Sequence, residues 1–352
     1  MFNLIEMYLA RTLLSTTLLS LSVLIGLSGL IKFIDQLRYV GRGSYDMTVA
    51  AVYVLLSLPR EIELFFPMAT LLGGLIGMGM LASTSELTVM QASGMSRLQI
   101  ISAAMKSALL MVLFVMALGE WVAPITETKA KEIRAQAISG GNLFASDRLT
   151  WAKDGDKFVS IGEVVNRDEL RDITIYHFSD ELTLRHITTA QSARFVGEQW
   201  QLKDVSNTSI GEQVGYSKNG AAQWPSTLTP DKLGVAIVKP EALSIVGLFE
   251  YIQYLKNNSQ DSGRYQLALW RKILQPISVG VMLLLALSFI FGPLRSVTTG
   301  ARVIMGVLTG FGFFIVNEVF GPLSMVYNLP PAIGAVAPSL LIAFIAVQML
   351  KR

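Results

Sequence analysis

The chain has 352 residues, of which 52% are hydrophobic and only 16% are charged, and its formal net charge is +3. Soluble domains carry about 25% charged residues, so this composition indicates a membrane protein. The absence of cysteine excludes disulfides, thiolate metal sites and cysteine nucleophiles, and the modest net charge without a basic block argues against nucleic-acid binding.

Apolar runs long enough to cross a bilayer recur along the chain. A hydrocarbon core about 30 Å thick requires roughly 20 apolar residues in a helix. Runs of this kind lie at 12–31, 64–85, 98–122, 273–294, 303–327 and 329–350, the third interrupted by Lys106 and the fifth by Glu318. We predict six transmembrane helices, three on each side of a hydrophilic insertion. The segment MTVAAVYVLLSLP at 47–59 is too short to cross, and we expect an interfacial or half-buried helix there that leads into the second span.

Lysine and arginine in the short loops set the predicted orientation. The residues before the first run lack a basic leader and a small-residue cleavage site, so we interpret that run as a permanent span. An even number of spans puts both termini on one side, which collects the cations Arg11, Arg97, Arg295, Arg302, Lys351 and Arg352. The loop 321–332 on the other side has no charge. We therefore predict cytoplasmic termini and an extracytoplasmic insertion.

The insertion changes character along its length. Residues 124–139 are polar helix formers that would continue the third span outward. From about 142 to 240 the sequence alternates with a period of two, in runs such as FVSIGEVV and ITIYHF separated by turn residues. This pattern predicts an all-β sandwich or jelly roll. SIVGLFEYIQYLKN at 244–257 has helical spacing and predicts an amphipathic helix capped by Ser244.

The predicted fold class is thus an α-helical membrane protein with six transmembrane helices and an all-β, jelly-roll-like extracytoplasmic domain. Residues 1–139 would hold spans one to three, with a cytoplasmic helix near 84–95. Residues 140–243 would form the β-domain, and 244–352 the amphipathic connector and spans four to six.

The loop between spans two and three, ASTSELTVMQASGMSRLQ at 82–99, contains a short helix-forming stretch. Helical spacing would place four of its residues on one face, namely Glu86, Leu87, Met90 and Gln91. One interpretation is a simple connector. The other is a coupling helix that docks into a groove of a cytoplasmic motor, because an apolar ridge with one acid suits that mode of docking.

Positive charge collects beyond the first span, on the predicted outer side, where topology does not require it. Lys32, Arg38 and Arg42 lie there, and Arg134 stands on the helix that follows the third span. One interpretation is that Lys32 snorkels to the interface and the other cations pair with neighbouring acids, namely Asp35, Asp46, Glu61 and Glu63. In the other they form a cationic rim that binds a phosphorylated amphiphile, because arginine and lysine donors match phosphate oxygens.

The sequence offers little support for an enzyme. It lacks the GxxxxGK[ST] phosphate loop and the HExxH and GxSxG motifs, so we predict no catalytic residue, metal site or cofactor in this chain. The histidines, His177 and His186, lie in strand-like runs and are interpreted as structural. Ion coupling would require acids deep in the spans, whereas Glu120 and Glu318 lie near span ends. An ion-coupled lipid transporter and a non-transporting envelope scaffold are the alternatives.

The sequence resembles the permease subunits of the lipopolysaccharide transport exporter, the LptF/LptG family, and most of all its G-type subunits. The resemblance covers essentially the whole chain. Its most specific stretches are SGLIKFIDQL (28–37), SELTVMQASGMSR (85–97), GEWVAP (119–124), TLTPDKLG (227–234), GRYQLALWRKI (263–273) and ALSFIFGPLRS (286–296).

The resemblance implies one subunit of an ABC-type exporter that extracts lipopolysaccharide from the outer leaflet of the Gram-negative inner membrane. It implies a homologous F-type permease, a cytoplasmic ABC ATPase dimer that binds ATP and Mg, and periplasmic jelly-roll bridge proteins that receive the lipid. In this family spans one and five form lateral gates, which here correspond to about 12–34 and 303–327.

The resemblance also implies roles for individual residues. The family's lipid-contacting cations fall on Lys32 and Arg134, and the acid of its coupling helix falls on Glu86. Where G-type subunits can carry consecutive lysines after the first span, this chain has Arg38 and Tyr39.

Overall fold

The structure, a computed structural model, describes residues 4–139, 150–166, 168–179, 183–211, 215–230, 240–292 and 298–351. The chain forms two compact units. The helical unit comprises Met1–Lys32, Ser57–Pro124 and Gly263–Arg352, and the sheet unit comprises Phe33–Leu56 and Ile125–Ser262. The predicted start of the β-domain at 140–149, the stretch 231–239, and Arg295 and Arg352 of the orientation argument lie outside the described residues.

The described elements follow in chain order. The first half contains α1 (Leu4–Leu37), α2 (Met47–Ser83), α3 (Glu86–Ala92), α4 (Arg97–Ala117), a π-helical turn (Leu118–Val122) and α5 (Ala123–Ser139). The strands are β1 (Thr150–Asp154), β2 (Lys157–Asn166), β3 (Glu169–Phe178), β4 (Leu184–Val196), β5 (Gln199–Ser209) and β6 (Gly215–Trp224). A short 3₁₀ turn (Pro240–Ala242) precedes α6 (Ile245–Asn257), α7 (Gly263–Ile273), α8 (Gln275–Phe291), α9 (Thr299–Val326) and α10 (Pro331–Lys351).

The helices long and apolar enough to cross a membrane agree with the predicted spans. Within the described ranges there are 5 such helices, or up to 6 if the bent pair α7 and α8 is one span. The two members of that pair meet at an angle of 53°. The predicted fourth span therefore corresponds to a broken helix, of which α8 alone has 17 residues.

Two helices extend beyond their apolar runs. The helix expected at 47–59 leads into the second span without a break, because α2 is continuous over 37 residues and contains Pro59 and Pro67. Proline is tolerated inside membrane helices, where neighbouring groups satisfy the freed carbonyls. The expected extension of the third span is confirmed, since α4, the π-helical turn and α5 form one apolar-to-polar helix over Arg97–Ile138.

Burial divides the spans into central and peripheral ones. In the most apolar window of α2, 67% of the residues are buried, whereas in the corresponding windows of α1 and α9 only 17% of the residues are buried. Helix α8 is central too, with Val279, Met282 and Leu283 almost fully buried. Most of the large exposed side chains of α1 and α9 are apolar, as contact with lipid requires.

Small residues let the peripheral helices approach α2 closely. A Cβ on Gly73 would collide with Thr17 of α1, and the Thr16 hydroxyl donates a hydrogen bond of 2.8 Å to the Gly73 carbonyl. On α9, a Cβ at Gly306 would meet Leu75 of α2 at 2.5 Å. The glycines of α2 and α9 thus pack helices together inside this chain, as small residues do in membranes.

The sheet unit contains one antiparallel sheet in the sequential order β1-β2-β3-β4-β5-β6. Buried and exposed side chains alternate along the first part of β5, where Trp200 and Leu202 are buried, whereas β6 is exposed along most of its length. The prediction of an all-β domain is confirmed. Each described strand pairs with its neighbours in sequence, which is the connectivity of a meander.

Asp154, at the end of β1, connects the edges of this domain. Its carboxylate is buried and accepts hydrogen bonds from the Trp224 indole at 3.1 Å and from the Thr227 hydroxyl at 2.6 Å. The predicted amphipathic helix is confirmed as α6, with Ser244 accepting from the backbone of Gly247 at its first turn. The Tyr254 hydroxyl of α6 donates to the Lys153 carbonyl at 2.7 Å, so α6 is fixed to β1.

Candidate functional site

Lys32, near the C-terminal end of α1, lies against a carboxylate of α2. Its ammonium is 2.7 Å from Glu61 Oε1, and the other oxygen of Glu61 accepts from the Ser28 hydroxyl at 2.7 Å. The Lys32 side chain is 29% exposed and that of Glu61 only 7%. The alternative interpretation from the sequence had Lys32 reaching the membrane interface and Glu61 pairing with another cation, whereas the structure pairs Glu61 with Lys32 itself.

Arg38 also has an acidic partner, but a solvent-exposed one. Its guanidinium donates to Asp35 Oδ1 at 2.9 Å, and both side chains are more than half exposed. Exposed pairs of this kind contribute only about 0–1 kcal/mol to stability. Arg38 is therefore easily available to another anion.

Arg42 and Arg134 are held by aromatic rings rather than by acids. The guanidinium carbon of Arg134 lies 4.1 Å from the centroid of the Tyr39 ring and 5.6 Å from that of Tyr53. The guanidinium carbon of Arg42 lies 5.3 Å from the same Tyr39 ring. Across the described parts of the chain, neither arginine has a salt bridge to a carboxylate. Two cations thus converge on one ring with their donors open to an anion.

The loop between α1 and α2 fixes this cluster against α5. A Cβ at Gly43, which has a φ of +57°, would lie 2.5 Å from the Ala137 carbonyl, so only glycine fits there. The Ser44 backbone donates to the same carbonyl at 2.8 Å. Tyr45 is buried and donates to Gln36 at 3.0 Å. Burial raises the pKa of the Tyr45 phenol, although the charge of Arg134 opposes the shift, so the hydroxyl stays neutral.

The four predicted lipid-binding cations therefore have three kinds of environment. Arg42 and Arg134 come together on Tyr39, Arg38 is paired at the surface, and Lys32 is paired with a buried acid of the helical unit. The sequence reasoning noted Tyr39 only as a departure from the family pattern and did not consider Tyr53. No local signal could have identified these rings, because Arg134 is 95 residues from Tyr39 in the sequence.

The predicted coupling helix is α3, and its exposed face differs from the predicted one. Leu87 is 4% exposed and belongs to the core of the helical unit, and Met90 packs partly against that core. The exposed apolar side chain of α3 is Val89, at 65%. Leu87 in this position is a core residue, and helical spacing alone could not show which side of α3 faces inward.

Glu86 is held by two hydroxyl groups. Tyr8 of α1 donates to Glu86 Oε2 at 2.7 Å, and Thr84 donates to Oε1 at 2.9 Å. Gln91 is half-buried, and the backbone at Ser85, just before the helix, is left-handed with a φ of 63°. Glu86 thus links the short helix to the start of α1 and presents a fixed carboxylate.

The spans contain more charge than the sequence reasoning considered. Lys272 of α7 is 3.4 Å from Glu63 of α2 and donates to the Gly119 carbonyl in the π-helical turn at 2.9 Å. Arg271 lies 3.4 Å from Glu318 of α9. Each of these acids has a cationic partner, as buried charges in membranes require. Within the described ranges, no cluster of three His, Cys, Asp or Glu residues is arranged to hold a metal ion.

Comparisons with known proteins identify relatives over the full length of the chain. The family model described as lipopolysaccharide export system permease LptF/LptG matches residues 7–352. Lipopolysaccharide export system permease protein LptG of Escherichia coli K12 is 48% identical over 355 residues, covering 100% of this chain and 99% of the relative. LptG of Haemophilus influenzae is 45% identical with the same coverage. LptF of Escherichia coli K12 is 28% identical over 206 residues, covering 56% of this chain and 54% of that protein.

Proposed function

The chain belongs to the LptF/LptG family of lipopolysaccharide export system permeases, and from this membership we propose that it works as the G-type subunit of a lipid exporter. It would pair with an F-type permease, extract lipopolysaccharide from the outer leaflet of the inner membrane and pass it to jelly-roll bridge proteins. A separate cytoplasmic ABC ATPase dimer would supply the energy. Both termini would lie in the cytoplasm and the sheet unit in the periplasm.

The observation that carries this proposal is the convergence of Arg42 and Arg134 on Tyr39 without a carboxylate partner. A guanidinium presents several N–H donors in a plane, which matches the oxygens of a phosphate group. Two such groups on one ring form a preorganised site for an anionic head group. Arg38, with its weak surface pair, would add a third cation once the lipid is present.

The peripheral position of α1 and α9 supports lipid entry between helices. Both have apolar exposed faces and little burial within the chain, whereas α2 and α8 form the fixed centre. A second permease packed beside α1 and α9 would enclose an apolar cavity between the subunits. In this arrangement α1 and α9 are the lateral gates, as the family resemblance implies.

The energetics favour a path on which the acyl chains stay out of water. Burying one CH₂ contributes about 0.8 kcal/mol, so a chain of roughly a dozen carbons represents about 10 kcal/mol. A lipid with several chains would therefore cost tens of kcal/mol if it were pulled wholly into water. We propose that the chains pass from the bilayer into the cavity and then along the apolar face of the sheet, while the motor compresses the cavity.

The motor would act through α3. This helix exposes Val89 and carries Glu86, and Glu86 is bonded to Tyr8 of α1. Movement of α3 by a docked ATPase would thereby reach a gate helix directly. This chain would bind no nucleotide itself.

An ion-coupled transporter is the second candidate function, because buried acids do occur in the spans. Glu61 and Glu63 are 7% and 12% exposed, deeper than the acids that the sequence suggested. Each, however, already forms an ion pair with a lysine, at 2.7 Å and 3.4 Å, and this pair would have to break before the acid could bind a transported ion. We therefore prefer the ATP-driven exporter.

The test is lipid release from proteoliposomes that contain this chain, an F-type permease and the ATPase. We expect release of lipopolysaccharide to an acceptor bridge protein only with ATP, and a loss of most of this activity in Arg134→Glu with normal expression. Arg194→Glu, at an exposed surface pair of the sheet, is the matched control and should transport normally. Release that continues without ATP under an ion gradient would favour the second candidate.

A further inference from the structure

Glu61 forms an ion pair with Lys32, a cation on which the family resemblance places contact with the lipid. The carboxylate is 7% exposed and lies 2.7 Å from the Lys32 ammonium. Its second oxygen is taken by the Ser28 hydroxyl, which lies one helical turn before Lys32 on α1. The charge of Lys32 is therefore neutralised by an acid of α2.

The same contacts fasten a poorly packed helix. In the most apolar window of α1 only 17% of the residues are buried, and a polar contact of its first half with α2 is the bond from Thr16 to the Gly73 carbonyl at 2.8 Å. Thr16 lies more than three helical turns before Lys32. The C-terminal part of α1 is thus held to α2 by Ser28 and Lys32 acting on one carboxylate.

We propose that Glu61 is a placeholder for the lipid phosphate, which displaces it from Lys32 and so releases the end of α1 from α2. The proposal rests on the proposed function and adds to it a step that regulates the site. Binding of the head group and opening of the gate helix become one event, because the same ammonium cannot hold both anions at full strength.

Charge and geometry make this exchange dependent on phosphate. A phosphate monoester carries a charge of about −1.5 to −2 at neutral pH and three acceptor oxygens, whereas Glu61 offers one oxygen to Lys32. Phosphate therefore competes well for the ammonium. After the exchange Glu61 retains its bond to Ser28, which limits the cost of leaving a carboxylate in the helical unit. A lipid without phosphate has no anionic group to compete with Glu61 for Lys32, so α1 would stay bound to α2.

The first experiment measures lipid affinity in the purified complex of this chain with its F-type partner and ATPase. The probes are a doubly phosphorylated lipid A and the same lipid with its phosphates removed. Glu61→Gln should bind the phosphorylated probe about tenfold more tightly than the unsubstituted chain, because the competing charge is gone. Its affinity for the dephosphorylated probe should not change. Glu63→Gln, which neutralises an acid two residues away on the same helix, is the matched control and should alter neither affinity.

The double variant Lys32→Glu with Glu61→Lys distinguishes the attachment of α1 to α2 from the binding of phosphorylated lipid. The reversed pair should restore expression and packing of α1 on α2 while the affinity for phosphorylated lipid stays low. Recovery of full affinity would contradict the proposal, because it would mean that the pair serves only the fold.

The second experiment follows the gate helix directly and needs no change at Glu61. Spin labels at Ile31 and Leu64, which are exposed on α1 and α2, report the distance between the helices. Phosphorylated lipid A should lengthen this distance, and dephosphorylated lipid should not. If phosphorylated lipid binds and the distance stays constant, the placeholder role is wrong while the exporter remains. If the unsubstituted complex binds no lipid at all, the proposed function itself fails.

Discussion

Replacing Tyr39 by leucine should weaken binding of phosphorylated lipid by about tenfold. The guanidinium carbons of Arg134 and Arg42 lie 4.1 Å and 5.3 Å from the centroid of this ring. A cation over an aromatic ring contributes about 0.5–1 kcal/mol at an exposed site and about 2 kcal/mol when desolvated. Arg134 is half-buried and Arg42 is exposed, so Tyr39→Leu should remove about 1.5 kcal/mol of cation–π stabilisation from the two arginines together. This free energy corresponds to roughly a factor of ten in lipid affinity.

The assay is equilibrium binding of doubly phosphorylated lipid A to the purified complex at low and high salt. Tyr39→Phe is the matched control, because it keeps the ring and removes a hydroxyl that has no hydrogen bond within the described parts of the chain. Its affinity should stay within about twofold of the unsubstituted chain. The reasoning is refuted if Tyr39→Leu binds normally, or if Tyr39→Phe loses as much affinity as Tyr39→Leu.

Three further predictions concern the motor contact and the sheet unit. Val89→Asp places a charge on the exposed face of α3 and should abolish ATP-driven lipid release while this chain still expresses. Thr88→Asp, which places a charge at the neighbouring position, is the control for a general effect of charge. Asp154→Ala leaves the buried indole N–H of Trp224 and the backbone N–H of Thr227 without their acceptor and should destabilise the sheet unit by about 3 kcal/mol in denaturant unfolding, with Asp154→Asn losing less. Burial raises the pKa of Tyr254 to about 12, from 10.0, so its stabilising contribution should be complete below pH 10 and lost as the pH rises through about 12. Tyr254→Phe should remove that alkaline loss in melting curves.

The elements that depend on local pattern could be predicted from the sequence. Apolar runs of sufficient length indicated the spans, and period-two alternation indicated the strands of the sheet. The sequence did not show that the helix at 47–59 and the second span are one continuous helix, because Arg60, Glu61 and Glu63 interrupt the apolar run. It also does not show that Glu61 and Glu63 have lysine partners. Those partners, Lys32 and Lys272, lie on other helices.

The site was predicted only in part, for the same reason. Charge and family resemblance identified Lys32, Arg42 and Arg134, but their environments depend on contacts between distant segments. Tyr39 is adjacent to Arg38 in sequence yet packs with Arg134 of α5. Leu87 shows the complementary limit, because a helical pattern defines an apolar face without saying whether the core or a partner covers it.

The central claim is that this chain holds an anionic lipid through its cations while another polypeptide hydrolyses ATP. Native mass spectrometry of the complex purified in mild detergent tests it most directly. We predict a bound phosphorylated glycolipid and an ATPase dimer in the complex, with the lipid lost when Arg42 and Arg134 are both replaced by glutamine. A complex that carries no such lipid, or that retains it fully in this double variant, would contradict the account.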